Sequence, residues 1–362
     1  MKTERNVTEL LRQIGEAGEP GFTCDEEGIR SEIARNESAY SNIIIKVLSA
    51  IGGFLATLAF LGFLLLAGIY QSEGGMLVTG IFFIIAAIGG SRVAGRSFLD
   101  TAALTLYITG FILMGAGLLQ MEKDPNVLLL LSLLLSLAGV LGSGGFMMIM
   151  VSVLLFNASL FSFFPVNHIY GNAGISPMLL IITVLLLITA NEPRIITGSR
   201  LGNKLYKPVQ SGFFISFLAG LLWMLHEYMF GFGLGWGGYP WALGIFTDIG
   251  IGILVWKIIG SLGITHKGYI AGIYLFTLAI LLPVFYFPYI PGALFLLLLS
   301  IYYGYKVEAG ISVAALAYFI IKYYYDLQMS LLYKSGLLFF PGILLLLVWY
   351  FYNRQLKKDE KI

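Results

Sequence analysis

The feature that most constrains this chain is a stretch of 66 residues, from Asn126 to Asn191, that contains no Asp, Glu, Lys or Arg. Turn-forming residues interrupt its apolar sequence only at 142–145 and 165–177. A bilayer core about 30 Å thick needs roughly 20 apolar residues for each helical crossing. Three crossings fit this stretch. A single crossing would leave some of its apolar residues outside the membrane. Two crossings would place Lys123 and Arg194 on the same side of the membrane, and the charge distribution argues against that.

The overall composition also indicates a membrane protein. Apolar residues make up 58% of the chain and charged residues 12%, against about 25% charged in ordinary soluble domains. The formal net charge of +2 is too balanced to favour a nucleic-acid partner. Cys24 is the only cysteine, which excludes an intramolecular disulfide or a thiolate metal cluster. We therefore predict an all-α fold, a polytopic transmembrane helical bundle whose main partner is the lipid bilayer.

The polar breaks in the sequence predict about twelve transmembrane helices, because only helices satisfy their backbone groups individually within lipid. The predicted spans are 44–70, 76–91, 99–120, 127–142, 145–164, 177–190, 210–232, 240–259, 268–288, 290–305, 308–326 and 335–352. Four of them, 76–91, 127–142, 177–190 and 290–305, are short, so tilting, bilayer thinning or a re-entrant fold could change the count.

The distribution of Lys and Arg predicts the orientation, because basic residues accumulate in cytoplasmic loops. With the N-terminus inside, 19 of the 22 basic residues fall inside, and only Lys123, Lys322 and Lys334 fall outside. The loops between spans, taken alone, divide nine inside to three outside. We expect a multi-pass protein of the cell inner (plasma) membrane with both termini in the cytoplasm.

Three regions follow from this topology. Residues 1–42 form a charged, cytoplasmic N-terminal helical segment with apolar positions at helical spacing, suited to a small cap or to docking a partner. Residues 43–353 form the transmembrane domain, and 354–362 form a basic cytoplasmic tail. The N-terminal segment lacks the apolar run of a cleavable signal peptide, so the first span should itself direct insertion.

Ionisable residues at membrane depth are costly and are functional candidates for that reason. All those found here belong to the predicted outer half of the bilayer or its edge: His226, Glu227, Asp248, Lys322, Asp326 and Lys334. We expect them to be ligand-binding candidates.

Two of these candidates have a purely structural alternative. Lys322 and Asp326 are four residues apart on one helix face and can form an internal ion pair, or Asp326 can pair with Lys334. Adjacent His226 and Glu227 point about 100° apart on a helix, which makes a proton relay through both a weaker hypothesis.

No catalytic or cofactor motif is apparent. The glycine-rich segment 231–238 lacks the Lys-Ser/Thr pair and the preceding strand of a phosphate-binding loop. His168, His226 and His266 fall on an outer loop, a span and an inner loop, so they cannot share a metal within one subunit. We expect no metal and no cofactor, and an intramembrane enzyme is disfavoured.

The segment from Tyr324 to Ser335, Tyr-Tyr-Asp-Leu-Gln-Met-Ser-Leu-Leu-Tyr-Lys-Ser, precedes an apolar stretch with a basic end. It resembles the C-terminal signature of the DUF4401 family of bacterial multi-spanning membrane proteins. The resemblance implies a membrane location and a helical fold, and it implies no activity, because the function of that family is not established.

Two main hypotheses for function remain. The first is a transporter or permease-like protein for a small solute, with an outward-facing polar pocket. The many helices and the 44 glycines suit close helix packing and hinged motion. The second is a membrane scaffold, assembly factor or sensor that does not transport. A lipid-handling protein has the least support in the sequence.

Overall fold

The structure, a computed structural model, describes residues 43–66, 72–93, 97–169, 175–230, 240–264, 266–284 and 287–326, and positions 68, 339, 342, 343 and 346. Within these ranges every regular element is helical, as the all-α prediction requires. The α-helices are α1 (Ile43–Leu66), α2 (Glu73–Val93), α3 (Ser97–Gln120), α4 (Pro125–Gly142), α5 (Phe146–Val166), α6 (Ser176–Ala190), α7 (Glu192–Gly198), α8 (Arg200–Phe230), α9 (Pro240–Ser261), α10 (Lys267–Leu281), α11 (Tyr289–Tyr302) and α12 (Lys306–Asp326).

The helices coincide with the first eleven predicted spans. Seven of the described helices are long and apolar enough to cross a membrane, namely α2, α3, α4, α5, α8, α9 and α12. A bend of 67° separates α6 from α7, and this pair makes an eighth crossing if it is one span. Helices α10 and α11 are apolar but shorter. The count of about twelve therefore stays a prediction, and the N-terminal segment 1–42 and the tail 354–362 lie outside the described residues.

Helix α8 begins at Arg200, ten residues before the predicted span 210–232. Hydropathy misses this extension because it carries Arg200, Lys204 and Lys207. These cations recur at a spacing of three or four residues, and Tyr206 and Gln210 on the same turns are buried. The helix therefore continues as an amphipathic segment beyond its apolar part.

Two apolar cores organise the bundle. The first joins α2, α3 and α5 around Ile84, Tyr107 and Met148. The second joins α6, α8, α9, α11 and α12 around Phe217 and Phe295, among others. Helices α5 and α8 pack against each other and so connect the two cores.

Glycine allows two of these helix pairs to approach closely. A Cβ atom at Gly110 of α3 would lie 2.7 Å from the carbonyl oxygen of Gly80 on α2. A Cβ atom at Gly212 of α8 would lie 2.7 Å from Cβ of Val153 on α5. Small residues at helix contacts are typical of membrane bundles, where van der Waals packing drives association.

Large apolar side chains also cover the outside of the bundle. Leu66 is 86% exposed, Leu275 74% and Trp256 66%. In water such surfaces would drive aggregation, whereas lipid tails solvate them. The outer surface is therefore suited to contact with lipid.

Contacts between loops define the two ends of the bundle. The side chains of Asn126 and Asn167 form a reciprocal amide pair, with N···O distances of 3.1 and 2.8 Å, at what we call the Asn167 end. At the opposite Lys207 end, the backbone N–H of Gly144 donates to Ser91 Oγ over 3.1 Å, and Lys204 Nζ donates to the carbonyl of Ser143 over 2.9 Å. These contacts join helix ends and loops that the predicted topology assigns to the same side of the membrane.

Candidate functional site

A cavity of about 330 Å³ lies between α9 and α10. Its lining consists of Asp248, Gly252, Tyr274, Thr277, Leu278, Leu281 and Leu282. Asp248 is the sole acidic residue of this lining, and the leucines make the remaining wall largely apolar. A few polar groups placed in an apolar cavity are typical of small-molecule sites.

The carboxylate of Asp248 has an unused hydrogen-bond acceptor. Its Oδ1 atom is buried and has no hydrogen-bond partner within the described part of the chain. The hydroxyl of Thr277, also on the cavity wall, donates its proton to the carbonyl of Ile273 over 2.9 Å. Because Thr277 has only one proton to give, it cannot also serve Asp248. The wall of the cavity therefore includes an acid with an unsatisfied acceptor, which suits an occupant that donates a hydrogen bond or carries positive charge.

The sequence of α9 explains how an acid reaches this position. Thr247 is fully buried, with its hydroxyl bonded to the carbonyls of Leu243 and Gly244. Asp248 follows it, about 100° further round the helix, and is only partly buried. Gly252 lies one turn later on the same face, and nothing lies within 4 Å of where its Cβ would be. The missing side chain leaves room beside the carboxylate.

The cavity lies nearer the Asn167 end of the molecule. Asp248 is eight residues, or about 12 Å, from the start of α9, and 13 residues, or about 20 Å, from its end. That far end reaches the Lys207 end, because Lys257 Nζ donates to the hydroxyl of Tyr303 over 3.3 Å. The ring of Tyr303 in turn stacks on Tyr305 at 6.0 Å.

Four of the other predicted site residues lie on helix segments in the same half of the bundle. Helices α8 and α12 both start at the Lys207 end, so His226 and Glu227 late in α8, and Lys322 and Asp326 late in α12, lie toward the opposite end. Lys322 is half-buried. The side chains of His226, Glu227 and Asp326, and all of Lys334, lie outside the described residues. The cavity lining does not include Lys322, and a shared pocket stays a prediction.

The sequence analysis missed a second polar cluster, at the Lys207 end. Lys207 Nζ lies 2.6 Å from Glu308 Oε1, joining α8 to α12. Ser211 donates to the same carboxylate oxygen over 3.0 Å, and Gln210 Oε1 accepts from Lys207 over 3.0 Å. The Lys207 ammonium also lies 3.5 Å from the ring centroid of Tyr305. We call these five residues the Lys207 cluster.

A chain of hydroxyls extends this cluster to α7. The hydroxyl of Tyr305, in the turn before α12, donates to Glu192 Oε2 over 2.8 Å. Since that uses its only proton, the 2.7 Å contact between Tyr206 and Tyr305 has Tyr206 as the donor. Burial, and then the hydrogen bonds to Tyr206 and Glu192, raise the pKa of Tyr305 well above its ordinary range. The hydroxyl therefore remains a neutral donor.

A signal for this cluster was present in the sequence. Glu308 is the first residue of a predicted span, and Lys207 comes just before another one on the same predicted side. Opposite charges at neighbouring span ends are pairing candidates, but only the packing of α8 beside α12 shows that these two meet. Among the described residues, no group of three or more His, Cys, Asp or Glu side chains is placed to hold a metal ion.

Comparison with known proteins gives a family and no activity. Neither the curated proteins nor the solved structures contain a significant match to this chain. The model of one family, described as a domain of unknown function (DUF4401), matches residues 43–355, which is most of the chain. The resemblance seen at Tyr324 to Ser335 is thereby confirmed, and the chain belongs to the DUF4401 family.

Proposed function

We propose that this chain is a plasma-membrane transporter or permease-like protein, in which Asp248 binds a small solute that donates hydrogen bonds or carries positive charge. The observation that carries the proposal is the buried Oδ1 of Asp248, which has no partner in the described part of the chain and belongs to a residue on the wall of a cavity of about 330 Å³. An acid at membrane depth that serves no internal contact is a default candidate for a functional site.

The proposal places the cavity on the outer side. The distribution of basic residues favours a cytoplasmic Lys207 end, in a topology of about twelve spans with both termini inside. The unpaired acceptor of Asp248 lies in the opposite half, and Lys322, Asp326, Lys334, His226 and Glu227 would extend the site toward the outer surface. The polar contacts of the Lys207 cluster would meanwhile close the inner end below the cavity.

Cysteine labelling of intact cells tests the cavity directly. Cys24 is the only cysteine, so a Cys24→Ser background allows Thr277→Cys to report access to the cavity wall. We expect a membrane-impermeant cationic thiosulfonate to react from outside, and faster than its anionic analogue, because Asp248 attracts cations. Asp248→Asn should remove this preference for the cationic reagent.

The matched control is Thr183→Cys on α6. Thr183 is exposed on the outer face of the bundle, and its hydroxyl bonds only within its own helix, to the carbonyl of Leu179 over 2.7 Å. Facing lipid, it should react with neither charged reagent. If Thr277→Cys is equally inert from both sides of the membrane, water does not reach the cavity, and a scaffold or sensor becomes the better hypothesis.

The same reagents test the orientation. Lys123 at the Asn167 end and Asn203 at the Lys207 end are both exposed. We expect Lys123→Cys to react in intact cells and Asn203→Cys only after permeabilisation. The reverse pattern would invert the topology and place the Asp248 cavity on the cytoplasmic side.

A further inference from the structure

A larger cavity, of about 460 Å³, lies between α5 and α8, away from Asp248. Its inner wall includes Asn157, Ser216 and Gly220, which are all buried. Ala219 and Trp223, also in the lining, are exposed on the outside of the bundle. The cavity is therefore a cleft that opens sideways, through the surface that faces lipid.

Asn157, on the wall of this cleft, carries an unpaired polar atom. Its side chain is 1% exposed, and its Nδ2 donates to Ser216 Oγ over 3.0 Å. Its Oδ1 is buried and has no hydrogen-bond partner among the residues that the structure describes. Exchanging the amide oxygen and nitrogen would leave a donor unpaired in place of an acceptor. In either orientation one polar atom of Asn157 stays without a described partner beside the cleft.

The position of Asn157 limits how an occupant can arrive. It lies 11 residues into the 21-residue helix α5, about 16 Å from the start of the helix and close to its midpoint. The lining also includes the apolar side chains of Leu154, Phe161 and Ile215 and the hydroxyl of the exposed Ser162, and the mouth of the cleft opens among side chains on the outside of the bundle. A water-soluble molecule would have to cross hydrocarbon to reach it, whereas a molecule dissolved in the bilayer reaches it by lateral diffusion.

We propose that the α5–α8 cleft binds a lipid-soluble molecule with an apolar body and one hydroxyl group, and that this hydroxyl bonds to Asn157. A hydroxyl both donates and accepts, so it satisfies the free amide atom in either orientation. Within hydrocarbon an unbonded hydroxyl has no other partner, which favours its entry into the cleft. The inference is independent of the proposed role of Asp248.

The purified protein in detergent tests this with two probes, a dibrominated octadecyl alcohol and the brominated alkane of equal length. Bromine quenches the fluorescence of nearby tryptophan, and Trp223 lies in the cleft lining. We expect saturable quenching by both probes, with half-saturation roughly threefold to tenfold lower for the alcohol, as one hydrogen bond within a membrane protein provides. In Trp223→Phe, the remaining quenching should be non-saturable and equal for the two probes.

Two variants separate the cleft from general lipid contact. Asn157→Leu should bring the alcohol to the affinity of the alkane. Ala219→Phe, at an exposed lining position, should fill the cleft and abolish saturable quenching by both probes. Ala158→Phe, also exposed in the lining, is expected to do the same and keeps the test valid if Asn157→Leu does not accumulate. Equal half-saturation for alcohol and alkane in the parent, or saturable quenching that survives Ala219→Phe, would overturn the proposal.

Discussion

The Lys207 cluster and the Asp248 cavity both place a carboxylate against helices of the same core, but their hydrogen bonding differs. Glu308 receives Lys207 and Ser211 on one oxygen, and its side chain is 10% exposed. Asp248 has a buried oxygen without a partner in the described chain, and it lines a cavity of about 330 Å³. Glu308 is therefore paired within the protein, whereas Oδ1 of Asp248 has no partner among the described residues.

The difference distinguishes polar residues that join helices from polar residues that have an unsatisfied buried atom. Partnered charges fix helices relative to each other, as Lys207 and Glu308 fix α8 to α12. An unpartnered polar atom at depth destabilises the fold unless something else binds it. Asn157 belongs with Asp248 by this criterion, although its cleft opens toward lipid. In the Lys207 cluster, Gln210 Nε2 is the one buried side-chain nitrogen or oxygen without a partner among the described residues.

The largest expected effect comes from Lys207→Met, which leaves the Glu308 carboxylate buried without its cation. Removing one partner of a buried ion pair costs about 3–5 kcal/mol. Because the Lys207 side chain is 40% exposed, solvent screens its interaction with Glu308. We therefore expect a smaller loss, of about 2–3 kcal/mol, in the free energy of unfolding. Denaturant unfolding in mixed micelles measures it.

Two further variants serve as controls for this prediction. Lys306→Met removes a nearby exposed cation and should change the free energy of unfolding by less than about 0.5 kcal/mol. The double variant Lys207→Met with Glu308→Met should be less destabilised than Lys207→Met alone, because no uncompensated charge remains. If the double variant loses as much free energy of unfolding as the single variants Lys207→Met and Glu308→Met do when their losses are added, the pair is not coupled. The cluster then does not hold α8 to α12.

A smaller effect is expected from Tyr305→Phe. The change removes the donor to Glu192 and the acceptor for Tyr206, and should cost about 1 kcal/mol. Because burial raises the pKa of Tyr305, its stabilising contribution is complete below the ordinary tyrosine pKa of about 10 and is lost only above it. The difference between parent and variant should therefore be equal at pH 6 and pH 9. Tyr302→Phe, in the same turn region, is the matched control, and a difference that fell steadily across this range would show that Tyr305 ionises early.

The sequence predicts the fold far better than the site. Apolar segments locate α1 to α12, apart from the short α7, because each helix must bury its own backbone bonds whatever its neighbours are. The start of α8 at Arg200 was missed because hydropathy treats Lys204 and Lys207 as loop residues. Membrane crossing by the short helices α10 and α11 depends on their tilt and neighbours, which composition does not determine.

For the candidate site, the sequence likewise predicts local features and misses those that depend on tertiary packing. The sequence singled out Asp248 as a candidate because an acid inside an apolar segment is conspicuous. It did not predict the lining of the cavity beside Asp248, since that lining depends on Gly252 and on the placement of Thr277 from another helix. The Lys207–Glu308 pair joins residues about a hundred positions apart, and only tertiary packing selects that partner for each charge.

The smallest expected effect is that of Asp248→Asn on stability, and it provides the closest test of the comparison. The substitution keeps the side-chain volume, so no new cavity forms, and it removes a charge that no described residue compensates. We expect the free energy of unfolding to stay within about 0.5 kcal/mol of the parent, or to rise slightly, since the neutral amide is easier to bury. Glu308→Gln is the same chemical change at the partnered acid, and it should cost about 2 kcal/mol because Lys207 loses its counter-charge. If Asp248→Asn is as damaging as Glu308→Gln, the Asp248 carboxylate has a protein partner after all. It would then be a structural residue, and the transport proposal would lose the observation on which it stands.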